Sequence, residues 1–223
     1  IGRRAERIVV ASEQWRAHDA ETVDVEVQLG DRRLLGSVRG VRGDVVLTTT
    51  YSTVKAKHRL RAWVELLALS AASPRRQLTA VVVGRGPRDT TARITLGPVS
   101  ASDAREHLAT LLALRDAGLC TPLPLPVGAG EAYADARLSR HQKPEKARWP
   151  ARKAWTSGYN HDGEDAELEH QLVWGGTVPF EVLEECELDD DPGSGWGSEP
   201  TAFGRLAMRL WVPLLEAEHQ GTA

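Results

Sequence analysis

The hydrophobic period of this chain changes twice between residues 21 and 85, and those changes constrain its fold more than any other feature. Over residues 21–29, Val23, Val25, Val27 and Leu29 alternate with Asp24, Glu26 and Gln28. A period of two in β-branched residues predicts a half-buried strand. Gly30-Asp31 is a turn signal, residues 34–41 return antiparallel, Arg42-Gly43-Asp44 turns again, and residues 45–50 supply a third strand. From Thr53 the spacing becomes helical: Leu60, Trp63, Val64, Leu66, Leu67 and Leu69 predict a long amphipathic helix with a basic start, stopping before Pro74. Residues 78–83 are an apolar run bounded by Gly84 and Gly86, the mark of a buried strand, and residues 91–96 make a neighbouring one. Ser102-Asp103 then cap a helix through Ala117, which Gly118 ends. Ahead of all this, Ile8, Val9 and Trp15 anchor a short helix or extended lead-in over residues 4–20. The order β-β-β-α-β-β-α predicts an α/β sandwich whose mixed central sheet is flanked by helices.

The remainder has another character. Pro122, Pro124 and Pro126 space a stiff connector that cannot be helical. Helices follow near residues 129–140 and 145–157, then a polar patch at 160–165 and an acidic loop from Asp189 to Gly195. Phe203, Leu206, Ala207, Leu210, Trp211, Leu214 and Leu215 predict a last helix over residues 201–219, kinked at Pro213. We therefore expect a core over residues 1–121 and a mostly helical, acidic extension over residues 122–223, packed as one compact unit.

Charge is unevenly distributed. The net charge of −3 conceals 17 basic against 10 acidic residues over 1–100, 9 against 6 over 101–159, and 2 against 15 over 160–223. A basic front and an acidic rear suit a polyanionic or acidic partner, with solvated faces as the simpler reading. Two distant cysteines, Cys120 and Cys186, form no disulfide framework and suit a reducing, cytoplasmic setting. A chain of 223 residues needs no such staple, and no apolar run is long enough to cross a membrane. The opening Ile1-Gly2-Arg3-Arg4 is expected to mark a fragment of a longer chain with no signal peptide.

Most common chemistries lack their residues. The histidines at 18, 58, 107, 141, 161, 170 and 219 are scattered, without HExxH spacing, and neither cysteine has a partner at metal-ligand spacing. Gly193-Ser194-Gly195-Trp196-Gly197 lies in an acidic loop, not at a strand-to-helix nucleophile elbow. Gly84-Arg85-Gly86 lacks the third glycine of a dinucleotide fingerprint, and no phosphate-binding GxxxxGK[ST] loop occurs. The acids between 181 and 191 read as a solvated loop before a cation site.

Residues 34–86 are the informative stretch: Leu-Leu-Gly-Ser-Val-Arg-Gly-Val, Val-Val-Leu-Thr-Thr-Thr, Lys-Ala-Lys-His-Arg-Leu-Arg-Ala-Trp, then Leu-Thr-Ala-Val-Val-Val-Gly-Arg-Gly. This resembles the core of the restriction-endonuclease-like PD-(D/E)xK nucleases. In that family two acids hold Mg²⁺ through hard oxygen ligands, and a lysine assists the attacking water. Here Arg39 stands at the first acid, Thr48 at the second and Thr50 at the lysine, so the resemblance implies a nuclease scaffold with its chemistry removed.

The segment Tyr51-Ser52-Thr53-Val54-Lys55-Ala56-Lys57, the helix from Leu60 to Leu69, and Ala117-Gly118-Leu119 leading into Pro122-Leu123-Pro124-Leu125-Pro126 narrow the likeness. With Phe203, Leu206, Ala207, Leu210, Trp211 and Pro213, they resemble the C-terminal domain family of the exodeoxyribonuclease V gamma subunit, RecC, over residues 22–219. The resemblance implies a non-catalytic domain that helps split and guide double-stranded and forked DNA and abuts RecB-like and RecD-like subunits. It implies no cofactor in this domain, Mg²⁺ and ATP being used by the partner subunits. Arg32, Arg33, Arg39, Arg42, Lys55, Lys57 and Arg59 are the candidate DNA contacts, with Arg61 beside them. The turn at Gly30–Arg33 and the loop from Gly84 to Thr90 are the exposed basic tips. Trp63 and Trp211 fall at core spacing, whereas Trp149, Trp155 and Trp196 are expected at subunit contacts. Two other readings remain: an active nuclease drawing on Asp24, Glu26, Asp44 and Glu65, and a plain protein-interaction module.

Overall fold

The structure is a computed structural model and describes residues 2–159 and 161–222, for Asp89, Ser194 and residues 220–222 by their backbone alone. Ile1, and Asn160 at the head of the expected polar patch, lie outside the described residues. The chain forms two compact units, residues 1–110 with 216–223, and residues 111–215.

The first unit is a layered α/β structure. Helix α1 (Gly2–Ser12) leads through a 3-10 turn (Glu13–Trp15) into strands β1 (Glu21–Leu29), β2 (Arg32–Arg42) and β3 (Val45–Thr53). Helix α2 (Ala56–Ala72) then crosses to β4 (Thr79–Arg85), which β5 (Thr91–Leu96) follows. Neighbours run antiparallel except β3 and β4, which are parallel and therefore need the helical crossover. The expected meander, crossover helix and buried strand are all present. Val81 and Val83 of β4 pack with Val45, Leu47 and Ile8 of α1 on one face. Alternation turns Val46, Ala80 and Val82 to the other face, where α2 lies across β1, β3, β4 and β5. Trp63, Leu66, Leu67 and Leu69 are fully buried there, each contributing roughly 1.5–3 kcal/mol by leaving water.

Three local expectations need correction. Helix α3 (Ala101–Cys120) is capped by Ser100, whose Oγ accepts from the Asp103 amide at 3.1 Å, not by Ser102-Asp103. It continues through Gly118, where a Cβ would meet only Leu123 at 3.6 Å, so nothing there demands a stop. The last helix ends at Glu216, and Glu218–Thr222 forms β6, antiparallel to β5. The exposed edge of β5 supplies backbone partners that the local apolar spacing does not reveal.

The second unit is helical. It holds the end of α3, then α4 (Val127–Leu138), α5 (Pro144–Trp155), α6 (Leu168–Trp174), α7 (Phe180–Glu185) and α8 (Ala202–Glu216), which Pro213 does not end. Helices α6 and α7 fall in the stretch the sequence left unassigned. Phe180, Phe203 and Tyr133 meet edge to face, 5.1 and 5.4 Å between centroids, and form the core with Leu206 and Trp211. Trp155, expected at a subunit contact, is instead wholly buried: its Nε1 donates to the Val178 carbonyl at 2.9 Å, and the His170 ring stands edge-on to it. Trp149 is exposed.

Candidate nucleic-acid interface

Strands β3 and β4 are parallel, so their carboxyl ends share one end of the sheet, where open α/β sheets usually carry their sites. Thr53 pairs with Arg85, and the Val54 amide donates to the Arg85 carbonyl at 3.0 Å before the chain turns into α2. Lys55 and Lys57 are exposed at that helix start. The Lys55 amide donates to His58 Nδ1 at 3.0 Å, so the imidazole caps α2 only in its neutral form. Partial burial and the charge of Lys57 lower the pKa of His58, keeping it neutral. Two cations here oppose the helix dipole by a few tenths of a kcal/mol each. Helix formation by itself does not call for them.

The three positions aligned with nuclease chemistry do not converge. Thr48 pairs with Val82 and shares the α2 face with Val46; the Thr50 hydroxyl accepts from the Ser52 amide at 3.2 Å. Arg39 is exposed and lies opposite Thr22 of β1, on the strand face away from buried Val38. Gly40 is responsible: at φ 75° its Cβ position falls 2.9 Å from the Leu47 carbonyl oxygen, and the β2–β3 ladder consists of Val41–Val46 and Arg42–Val45. A bulge there turns the strand and re-aims its side chains. Arg39 therefore does not enter a pocket with Thr48 and Thr50, which corrects the expected superposition.

The acids that an active nuclease would recruit are dispersed. Asp24 accepts from Ser37 Oγ at 2.7 Å, Glu26 pairs with Arg33 at 3.2 Å, Asp44 with Arg76 at 2.9 Å, and Glu65 with Arg61 at 3.0 Å. Among the described residues, the group of three with metal-ligand geometry is Glu164, Glu167 and His170 in the second unit. There Glu164 accepts from the Gly128 and Ala129 amides at 2.6 and 2.7 Å, so its carboxylate caps α4. Burial nevertheless holds its pKa above the ordinary value.

The basic candidates also separate. Arg32 and Arg33 sit at one end of β2 and Arg42 at the other, about 33 Å apart for an eleven-residue strand. Arg33 is tied to Glu26, and Arg42 donates to the His18 carbonyl at 2.5 Å. Arg59 is a correction: it is buried, and its guanidinium is bonded to Glu218. A charge held inside the protein offers nothing to a phosphate.

Sequence reasoning missed Arg3, Arg4 and Arg7. Arg3 and Arg7, four residues apart, lie on an exposed side of α1, and half-buried Arg4 lies beside Ile8, which faces the sheet. The eleven-residue helix is hard to pick out within the longer, irregular lead-in over residues 4–20. A concavity of about 770 Å³ is lined by Arg3, Glu6, Arg7, Val10, Ala11 and Thr91. A smaller gap joins Arg4, Arg7 and Ile8 to Arg85, Thr90 and Thr91. A third, about 420 Å³, runs between Thr53, Arg85, Gly86, Pro87 and Arg88.

Polar groups of the second unit bind one another. Arg148 and Arg152 of α5 hold Glu184 and Glu181 at 2.5 and 2.8 Å, and Arg205 holds Asp191 at 2.5 Å. Part of the acidic cluster thus faces internal cations. Burial raises the Cys186 thiol pKa, which suits an inert cysteine.

The chain matches the RecC C-terminal domain family over residues 1–138. Relatives described as RecBCD enzyme subunit RecC, from two strains of Mycobacterium tuberculosis, are 38% identical over 220 residues, covering 98% of this chain and 19% of theirs. A relative of the same description from Mycolicibacterium smegmatis is 38% identical over 205 residues, 92% of this chain and 18% of its own. The chain therefore spans about a fifth of the length of these relatives.

Proposed function

The chain belongs to the family of RecC C-terminal domains, and on that premise we propose that it is a non-catalytic DNA-guiding and scaffolding domain within a RecC subunit. Such a subunit works in a RecBCD-type helicase–nuclease, with RecB-like and RecD-like partners, in cytoplasmic repair of double-strand breaks. The motors and the active nuclease, with their ATP and Mg²⁺, belong to the partners. The order β2, β3, α2, β4 supports a nuclease-like scaffold, whereas Arg39, which does not meet Thr48 and Thr50, does not mark a former acid of its site.

The dispersal of Asp24, Glu26, Asp44 and Glu65 carries the non-catalytic part of this reading. Mg²⁺-dependent cleavage needs at least two carboxylates at one ion, and each of these four is engaged elsewhere on the first unit. Exposed Lys55 and Lys57 support contact with phosphate, since nothing in the helix start favours cations. The scaffolding part draws on α6, where Leu168 and Leu172 are 77% and 85% exposed and Val173 is exposed beside them. Among the described residues no helix is long and apolar enough to cross a membrane.

The test uses the complete enzyme. Carrying Asp44→Asn with Glu65→Gln, or Asp24→Asn with Glu26→Gln, it should cleave DNA at the parental rate in Mg²⁺. Loss of cleavage with binding intact would place catalysis in this domain and overturn the reading.

A further inference from the structure

We propose that the groove between α1 and the β4–β5 turn is a clamp for the phosphodiester backbone of nucleic acid, gripped by Arg3, Arg7, Arg85 and Arg88. The inference rests on the DNA-guiding reading above and gives it a location that the sequence did not nominate.

Three observations carry it. The first is continuity. Arg7 and Thr91 belong to both the large concavity and the small gap, and Arg85 belongs to both the small gap and the concavity beside Arg88. The hollows share these walls and so lie in a row beside the carboxyl end of β4, two open concavities separated by a gap of only about 10 Å³. A row of basic hollows suits the successive phosphates of an extended anion better than a single small one.

The second is charge. Among the described residues lining these hollows, Glu6 is the one acid, and none of Arg3, Arg7, Arg85 and Arg88 has a carboxylate within ion-pair distance among the described residues. Elsewhere in the same unit the arginines at 33, 59, 61 and 76 are each paired with an acid. Unpaired guanidinium forks in a concave wall match phosphate oxygens in pairs.

The third is preorganisation. The Arg85 guanidinium donates to Thr53 Oγ1 at 3.2 Å and lies over the Tyr51 ring, 5.7 Å from its centroid. The turn that carries Arg88 is locked: the Gly86 amide donates to the Thr90 carbonyl at 2.8 Å, the Thr90 amide to the Pro87 carbonyl at 3.0 Å, and Thr90 Oγ1 to the same carbonyl at 2.7 Å. Only glycine fits at 86, because a Cβ would stand 2.5 Å from Thr90 Oγ1. Arg88 itself is held at φ 51°, a left-handed conformation uncommon outside glycine. The locked turn fixes where the Arg88 side chain leaves the backbone, while the exposed side chain itself stays free to reach a phosphate. Arg3 and Arg7, one helical turn apart, rise by about 6 Å along α1 and address the large concavity side by side.

The experiment is a salt titration of forked-DNA binding by the complete enzyme in four forms: parent, Arg3→Gln with Arg7→Gln, Lys55→Gln with Lys57→Gln, and Glu6→Gln. Each phosphate contact contributes about −0.9 to the slope of log K against log salt on duplex, and about −0.7 on single strands. Loss of Arg3 and Arg7 should therefore flatten the slope by about 1.8 if the clamp holds duplex and about 1.4 if it holds a single strand. Glu6→Gln should tighten binding. A parental slope and affinity in the arginine variant, with the lysine variant flattened, overturns the clamp and leaves the guiding role standing. Parental behaviour in both variants overturns both. Arg3 and Arg7 are exposed, so unchanged thermal melting of that variant excludes misfolding as the cause of a flattened slope.

Discussion

Arg59 of α2 donates through Nε to Glu218 of β6 at 2.7 Å, joining residues 159 positions apart inside the first unit. Their side chains are 10% and 4% exposed. The pair fastens the last strand to the crossover helix, and it removes from solvent a cation that the sequence placed among the DNA contacts. Breaking one side leaves a buried charge alone. Glu218→Ala should cost on the order of 3–5 kcal/mol, read from chemical denaturation. A loss near zero would mean that the pair is dispensable.

The cap on α2 should depend on pH. His58 has a folded pKa below its ordinary value of about 6.5, so its contribution is complete above that value and is lost as pH falls through the folded pKa. Because the ring is only half-buried and bonds a single amide at the helix start, the effect is local. Hydrogen exchange at the first-turn amides of α2 should accelerate between pH 7.5 and pH 5, beyond the intrinsic pH dependence. His58→Asn should abolish that excess; its persistence would assign the change to another group.

Tyr133 and Arg137 converge on Glu199, which is buried: the phenol donates to Oε2 at 2.5 Å and Arg137 Nε to Oε1 at 2.8 Å. Burial and the Glu199 carboxylate push the phenol pKa far up, so its stabilisation is present below pH 10 and is lost as alkali draws the equilibrium toward the unfolded chain. Tyr133, one of three tyrosines in the sequence, should show tyrosinate absorbance only with unfolding. Tyr133→Phe should cost roughly 1–3 kcal/mol, since an oxygen of Glu199 then loses its donor.

Charge reversal separates the basic end of the first unit from the acidic loop. Lys55→Glu with Lys57→Glu should weaken forked-DNA binding by the complete enzyme and flatten its salt dependence by about 0.7–0.9 per lost contact. Asp189→Lys with Asp190→Lys, on exposed positions, should not weaken it. Equal effects of the two pairs would reduce the basic end to a solvated face.

Much of the fold was legible because its signals are local. Val23, Val25, Val27 and Leu29 alternate in sequence and face the core in space, and the stretch around Trp63 follows the turn of one helix. The site was legible only in part. Lys55 and Lys57 were found because they begin that helix. Arg39 was aimed wrongly because one glycine, Gly40, reverses the strand's sense between Val38 and Val41, both of which are buried. Arg3 and Arg7 were missed because α1 is short and low in apolar residues, and its period is diluted when residues 4–20 are read as one segment.

The sequence by itself determined which segments become strands and helices, since hydrophobic period and turn residues act over a few positions. It also determined family membership, through the order of those segments and the residues within them. Only the tertiary structure decided which charges remain available. An arginine looks the same in sequence whether an acid 159 residues away neutralises it, as with Arg59, or a groove leaves it with no ion-paired carboxylate among the described residues, as with Arg7. That difference lies in long-range pairing, in this case the closing of β6 on β5, and no local pattern encodes it.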